Sequence, residues 1–298
     1  MRNRTHLRSV IICAVIVLFN TGYAVAGTWT TLDYPGAWDT QALGISGNNI
    51  VGAYYSGSSV YHGFLYDGTT WTTLDYPGAG SAYAGAFGIS GKNIVGVYQD
   101  NSDVYTHAYL YNGTSWTSLT YPGAKNTAAL AISGSSVVGQ YEDSSGGWDG
   151  FLYNGTSWTS LTYPGGKFTR AQGISGSSVV GGYEGSSVYH GFLYDGTSWT
   201  SLTYPEAETT SAYGISGNNI VGYYWDISGG EHGFLYDGTS WTSLTYPGAE
   251  FTSAYGISGN SIVGYYQDNS GQHGFIYTIP EPATLLLLGL GAVMLRKK

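Results

Sequence analysis

The stretch HGFLYDGTSWTSLTYPGA, from His232 to Ala249, recurs in near-copies along most of the 298-residue chain. A second element, GISG or AISG, recurs in the same order between these copies. Copies at a fixed period of this size are typical of solenoids and propellers. The WTxLxYP core of the stretch begins at six tryptophans spaced 41 to 45 residues apart: Trp29, Trp71, Trp116, Trp158, Trp199 and Trp241.

One repeat contains four predicted strands. In the copy that includes the quoted stretch they are Ser211 to Ile215, Asn219 to Tyr224, His232 to Tyr236 and Ser240 to Tyr246. The turns between the first two and the last two strands, SGN and DG, have residue types that tolerate positive φ. Apolar residues are adjacent, as in Ile220-Val221, so both faces of the small sheet require cover.

The ends of the repeat region predict how these sheets assemble. The first copy begins at its Trp strand, Thr28 to Tyr34, and the last copy stops after Ile276-Tyr277 without one. We therefore predict an all-β, six-bladed propeller over residues 27–278, in which the N-terminal Trp strand completes the last blade and removes an open sheet edge. A linear β-solenoid is the alternative, and it favours atypical capping units over complementary half-units.

The order of a YGI segment, an IVG-Y segment and an H-[AG]-FL segment resembles the HAF-type repeats of bacterial extracellular proteins. The resemblance covers Gly27 to about Thr278. It implies an extracellular role and brings no established activity with it.

The N-terminal residues predict export. Arg2, Arg4 and Arg8 precede an apolar run, and the small residues Ala24 and Ala26 frame an A-x-A cleavage site. This pattern predicts a signal peptide over residues 1–26, removed by signal peptidase. The apolar run is too short for a membrane-spanning helix, which is the alternative.

The C-terminal residues 279–298 carry a second processing signal. Pro280, Glu281 and Pro282 precede a short apolar run, and the chain ends in a basic cluster. A short tail anchor is one interpretation. The tripartite order resembles the PEP-CTERM sorting signal of Gram-negative bacteria. That resemblance implies cleavage by an exosortase, transient membrane contact, and release to the cell surface or extracellular matrix of bacteria that make exopolysaccharide. The basic cluster is Arg296, Lys297 and Lys298.

Charge and motifs exclude several classes of function. Residues 27–278 contain four basic residues against 18 acidic ones, a net charge of −14, which would repel a nucleic acid backbone. The sequence has no dinucleotide-binding, P-loop or HExxH motif, and we expect no cofactor. A histidine recurs in five of the six third strands, but equivalent blade positions diverge from the propeller axis. We therefore interpret these histidines as structural and expect no metal site.

Variation between copies is confined to one face of the predicted propeller. The connections that vary are those leaving the Trp strand and those preceding HGFLY, and loops on a rigid scaffold are common binding sites. We predict a non-enzymatic exported protein that binds extracellular polysaccharide there, because exposed Trp stacks on sugar rings and cations attract acidic groups. The candidate ligand residues are Trp38, Lys125, Trp148, Lys167, Arg170 and Trp225.

Two alternatives remain open at this point. One is a purely structural matrix protein without a ligand. The other is a glycan-active enzyme, which requires a pair of carboxylates several ångströms apart. The sequence does not select a pair among the acids that break the repeat symmetry, Glu142, Glu184, Glu206, Glu208 and Glu250.

Overall fold

Four-stranded antiparallel sheets, repeated around one axis, make up the described part of the chain. The computed structural model describes residues 27–57, 60–100, 105–186 and 188–280, apart from the side chains of residues 80–83 and 100. The predicted signal peptide and the sorting-signal residues 281–298 lie outside the described residues. Within the described ranges, no helix is long and apolar enough to cross a membrane.

Each blade runs from an innermost first strand to an outermost fourth strand. Blade 1 consists of β2 (Asp39–Ser46), β3 (Asn49–Tyr55), β4 (Tyr61–Tyr66) and β5 (Trp71–Leu74). Blade 2 consists of β6 (Ala79–Ser90), β7 (Asn93–Asp100), β8 (His107–Tyr111) and β9 (Trp116–Leu119). Blade 3 consists of β10 (Asn126–Ser133), β11 (Ser136–Glu142), β12 (Trp148–Tyr153) and β13 (Trp158–Leu161). Blade 4 consists of β14 (Lys167–Ser175), β15 (Ser178–Glu184), β16 (Tyr189–Tyr194) and β17 (Trp199–Leu202). Blade 5 consists of β18 (Ala207–Ser216), β19 (Asn219–Asp226), β20 (Glu231–Tyr236) and β21 (Trp241–Leu244). Blade 6 consists of β22 (Phe251–Ser258), β23 (Ser261–Asp268), β24 (Gly271–Thr278) and β1 (Thr28–Leu32). The predicted six-bladed, all-β propeller is confirmed.

The first strand of the chain closes the ring. β1 pairs antiparallel with β24 from Thr28 opposite Thr278 to Leu32 opposite Gly274. The indole of Trp29 packs edge-on against Phe275, with ring centroids 5.0 Å apart. Blade 6 is therefore assembled from both ends of the repeat region, as the complementary half-copies predicted.

The hydrophobic core is divided among the interfaces between blades. One cluster combines Val138 and Leu161 of blade 3 with Ala171, Ile174 and Phe192 of blade 4, all buried. Equivalent clusters occur at the other interfaces. Adjacent apolar residues in a strand thus face opposite neighbouring blades, which explains the absence of polar alternation.

The fourth strand is shorter than the sequence predicted, because the Tyr-Pro pair leaves the sheet. In blade 5, β21 ends at Leu244, and the Tyr246 amide donates to Thr252 Oγ1 of blade 6 over 2.9 Å. The Tyr246 ring stacks on Tyr266, which also belongs to blade 6, with ring centroids 3.7 Å apart and planes inclined by 6°. Each Tyr-Pro turn therefore connects one blade to the next, and it does not extend the strand.

One of these turns carries an unfavourable residue. Glu206 occupies the position taken by glycine in the other Tyr-Pro turns and has φ of 62°. The left-handed region costs a residue with a Cβ roughly 1–2 kcal/mol. We expect Glu206→Gly to raise the melting temperature by about 2–4 °C, corresponding to roughly 1 kcal/mol in a domain of this size.

The matched control for this substitution is the reverse change at the same place in the next repeat. Gly248 has φ of 84° and an added Cβ there would meet no atom within 4 Å. Gly248→Glu should therefore lower the melting temperature by a similar amount. Equal melting temperatures for Glu206→Gly and the parent would show that the turn carries no strain.

Candidate ligand-binding face

The meander order decides which loops share a face. Connections from the second to the third strand of a blade, and from the fourth strand to the next blade, lie on one side of the disc, which we call the variable face. The two tight turns of each blade lie on the opposite side, the constant face. Innermost strands begin at the variable face, so the first residues of β14 and β18 lie at its centre.

The six predicted ligand residues lie at different places on the variable face. Trp38 is 66% exposed and contacts Tyr55 edge-on, with centroids 5.9 Å apart. Trp225 is 42% exposed at the end of β19. Trp148 is partly buried at the start of β12, opposite Glu142. Lys125, Lys167 and Arg170 are exposed, and the last two belong to β14.

Two of the six meet in a cleft between blades 4 and 5. This blade 4–5 cleft has a volume of about 280 Å³. The Arg170 guanidinium lies 5.7 Å from the centre of the Tyr189 ring at one side of the cleft. Trp38, Lys125, Trp148 and Lys167 are not among the residues that line it. The lining residues are Arg170, Gly182, Tyr189, Thr209, Ser211, Tyr213, Tyr223 and Trp225.

A partly buried carboxyl supports the Trp225 side of the cleft. Glu231 lies opposite Trp225 in the pairing of β19 with β20. Burial raises the pKa of Glu231, while hydrogen bonds from the Ser253 hydroxyl and the Trp225 side chain act in the opposite direction. Glu231 therefore fixes the position of the indole, which leaves the exposed part of Trp225 available for stacking.

Four tyrosines of blades 5 and 6 lie beside the cleft near the propeller axis. Tyr213 and Tyr255 have ring centroids 4.3 Å apart, and each stacks on the tyrosine of its own second strand, Tyr223 or Tyr265. Burial raises the pKa of all four phenols. The hydroxyls therefore stay protonated near neutral pH and can donate as well as accept hydrogen bonds.

A second cavity, which we call the axial cavity, lies at the centre of the ring. Its volume is about 290 Å³ and it is lined by the innermost strands of all six blades. Arg170 and Tyr213 line both this cavity and the blade 4–5 cleft, so the two are adjacent. Each volume is near the lower end of the range for small-molecule sites, about 300–1,000 Å³.

The sequence analysis did not identify most of the residues that line these cavities. Tyr223 follows the glycine of an IVG segment, where other copies have Ala53, Val97 or Gly182, and Tyr213 precedes a GIS segment, where other copies have Leu43 or Phe87. These positions also break the repeat symmetry. A comparison of the copies strand by strand, and not only loop by loop, would have found them.

Two of the recurring histidines, His62 and His273, hydrogen-bond to nearby aspartates. His62 Nδ1 bonds Asp75 Oδ2 over 2.8 Å and its ring stacks on Tyr54. His273 Nδ1 bonds Asp33 Oδ2 over 3.0 Å, which links β24 to the segment after β1. Among the described residues, no group of three or more His, Cys, Asp or Glu is placed to hold a metal ion.

Comparisons with known proteins bear on the tail and on the fold. Residues 278–298 match the model of the PEP-CTERM protein-sorting motif. The match supports the prediction that the protein is an exosortase substrate. The motif indicates an exported protein of a Gram-negative bacterium. No curated protein sequence matches the chain.

Solved structures share the propeller fold at low sequence identity. A Trypanosoma rangeli sialidase in complex with the inhibitor DANA is 11% identical, with a TM-score of 0.53 over 91% of this chain and 62% of that one. A mutant of that sialidase displaying trans-sialidase activity is 11% identical, with a TM-score of 0.51 over 84% and 55%. The chain thus spans little more than half the length of these sialidases. The Aleuria aurantia lectin, solved with Fucα1-6GlcNAc, is 15% identical, with a TM-score of 0.49 over 85% and 99%.

Proposed function

We propose that this exported protein binds an acidic extracellular polysaccharide at the blade 4–5 cleft, without cleaving it, at the cell surface or in the extracellular matrix. The observation that carries the proposal is the meeting of Arg170 and Trp225 in one cleft on the variable face. An exposed indole stacks on the apolar face of a sugar ring, and a guanidinium pairs with a carboxylate in a bidentate manner.

The charge distribution favours an acidic ligand. Three of the four basic residues of the propeller, Lys125, Lys167 and Arg170, occur in the variable-face segments of the adjacent blades 3 and 4. The remaining one, Lys92, precedes β7 in the first tight turn of blade 2, on the constant face. Cations confined to one sector of an otherwise acidic domain attract an anion at short range, where salt screening is incomplete.

A glycan-cleaving enzyme is the second candidate, and one observation favours it. Glu231 is a partly buried acid of raised pKa near Tyr223, and an acid of raised pKa suits general acid catalysis. Glycoside hydrolysis usually requires a second carboxylate. The residues that line the two described cavities include none. The contacts of Glu231 with Ser253 and Trp225 also fit a supporting role, so we place the binding function first.

The full-length chain should bind immobilised polygalacturonate or alginate more tightly than neutral dextran in a surface plasmon resonance measurement. Trp225→Ala and Arg170→Ala should each weaken binding about tenfold or more, the effect of removing a central contact residue. Higher salt concentration should weaken binding further by screening the charge of Arg170.

Matched controls exist for both substitutions. Trp38→Ala removes a more exposed indole from the same face outside the cleft, and Lys92→Ala removes a cation from the constant face. Both variants should bind like the parent. Absence of binding to every acidic polymer would contradict the proposal. Release of sugar by the parent, lost in Glu231→Gln, would establish the enzyme instead.

A further inference from the structure

The axial cavity has two chemically different halves. The six innermost strands each carry a bulge just before the Gly-Ile or Ala-Ile pair, and the residue at the bulge faces the cavity. Blades 1 to 3 supply Leu43, Phe87 and Leu130, whereas blades 4 to 6 supply Gln172, Tyr213 and Tyr255. At the bulge positions, apolar side chains of blades 1 to 3 therefore face amide-bearing and hydroxyl-bearing side chains of blades 4 to 6.

Two side-chain amide oxygens of the cavity lining accept no hydrogen bond within the described part of the chain. The Oε1 atoms of Gln140 and Gln172 are buried and accept no hydrogen bond from any described residue. Gln172 is only 8% exposed, and its side chain hydrogen-bonds the Tyr213 hydroxyl. An unpaired buried acceptor destabilises the folded protein, because it has lost its hydrogen bonds to water without gaining others. Both oxygens therefore favour a ligand that brings hydrogen-bond donors into the cavity.

The shape and lining of the cavity indicate what such a ligand is. A group with two or more hydrogen-bond donors on its rim and an apolar face fits between the two glutamines, of blades 3 and 4, and Leu43 of blade 1. A sugar residue has this distribution, with O–H donors around a ring whose C–H face packs on apolar side chains. The volume of about 290 Å³ exceeds a water's share of roughly 30 Å³ many times over.

Neighbouring innermost strands approach one another closely at the small residues that recur before each Ile. A Cβ added at Gly44 would lie 3.2 Å from the Gly88 Cα, and one added at Gly256 would lie 3.2 Å from the Gly44 Cα. The backbones of neighbouring innermost strands are thus in contact around the axis. A polysaccharide that enters the cavity from the variable face passes Arg170, which lines both the cavity and the blade 4–5 cleft.

We propose that the axial cavity binds the terminal residue of a polysaccharide through Gln140 and Gln172, so that the protein recognises chain ends. This inference rests on the proposed function and specifies its mode. The blade 4–5 cleft, which shares Arg170 and Tyr213 with the cavity, holds the residue next to the terminal one.

The test counts proteins per chain and removes one acceptor. In sedimentation measurements with long polygalacturonate or alginate, one molecule of the full-length protein should bind to each polymer molecule. The trimer of the same sugar, galacturonate for polygalacturonate and mannuronate or guluronate for alginate, should bind as tightly as the polymer. Gln172→Leu should weaken binding about tenfold, the equivalent of 1.4 kcal/mol. Its melting temperature should change little, because the unpaired acceptor is lost together with the hydrogen bond to Tyr213.

Gln267→Leu is the matched control, since Gln267 lies on β23 outside both cavity linings, and it should bind like the parent. Many proteins per polymer, with Gln172→Leu binding normally, would overturn chain-end recognition and leave the proposed function intact. Unchanged affinity of Gln172→Leu, with the parent binding once per polymer, would overturn the assignment of the chain end to the axial cavity. Absence of binding to both polymers and to all three trimers, in contrast, would reject the proposed function as well.

Discussion

Deletion of Thr28–Leu32 is expected to unfold the protein or to lower its melting temperature by at least about 10 °C. The deletion removes the buried Leu32 and the indole of Trp29, and it leaves the β24 edge unpaired. Loss of a packed Trp alone costs about 3–5 kcal/mol, a large part of the 5–15 kcal/mol that stabilises most proteins. Thermal unfolding followed by circular dichroism measures the effect.

A variant with a rearranged chain order distinguishes the effect of losing a strand from the effect of losing the closure of the ring by the start of the chain. In this variant, residues 29–32 are moved to follow Tyr277 through a turn copied from Asp237–Ser240, the connection that precedes the fourth strand of blade 5. Blade 6 then has four strands, but it no longer includes the start of the chain. We expect it to recover most of the stability lost on deletion. A deletion variant that melts like the parent would show that β1 does not complete blade 6.

The architecture was predictable because it follows from local patterns that occur six times. Gly217 and Gly238 mark the tight turns of blade 5, and both have positive φ in the structure. The incomplete copies at the two ends specified the pairing of β1 with β24. What the pattern did not reveal is the position of Tyr246, because the residue before a proline is extended both in a strand and in a turn.

The candidate site was only partly predictable. Trp225 and Arg170 were identified because they stand out in loops and strand ends that vary between copies. Gln172, Tyr213 and Glu231 were missed because each replaces another residue at an equivalent position of the repeat, where a sequence shows the change but not the direction of the side chain. Their importance depends on the axis, which brings equivalent positions of different blades together. Convergence of this kind requires three-dimensional coordinates.

Gly222→Ala is expected to destabilise the protein by about 3 kcal/mol or more, at the upper end of the usual overpacking effect. A Cβ at Gly222 would lie 2.0 Å from the Ser211 carbonyl oxygen and 2.8 Å from the Phe234 ring. The carbonyl belongs to β18, which pairs with β19, so it cannot withdraw without disrupting the ladder. The same position has the same contact distances, 1.9 to 2.0 Å to a carbonyl oxygen, at Gly52, Gly96, Gly139, Gly181 and Gly264.

This glycine is therefore required by packing and not by a turn, since its φ lies outside the left-handed region. Gly230→Ala is the control within the same blade. There an added Cβ meets only the ends of the His232 and Asp226 side chains, at 3.0 and 3.1 Å, which can move aside. We expect Gly230→Ala to change the melting temperature by no more than about 2 °C, the equivalent of less than 1 kcal/mol. If both variants melt alike, the Phe234 ring does not lie against β19, and the interior of each blade is packed differently from the structure described above.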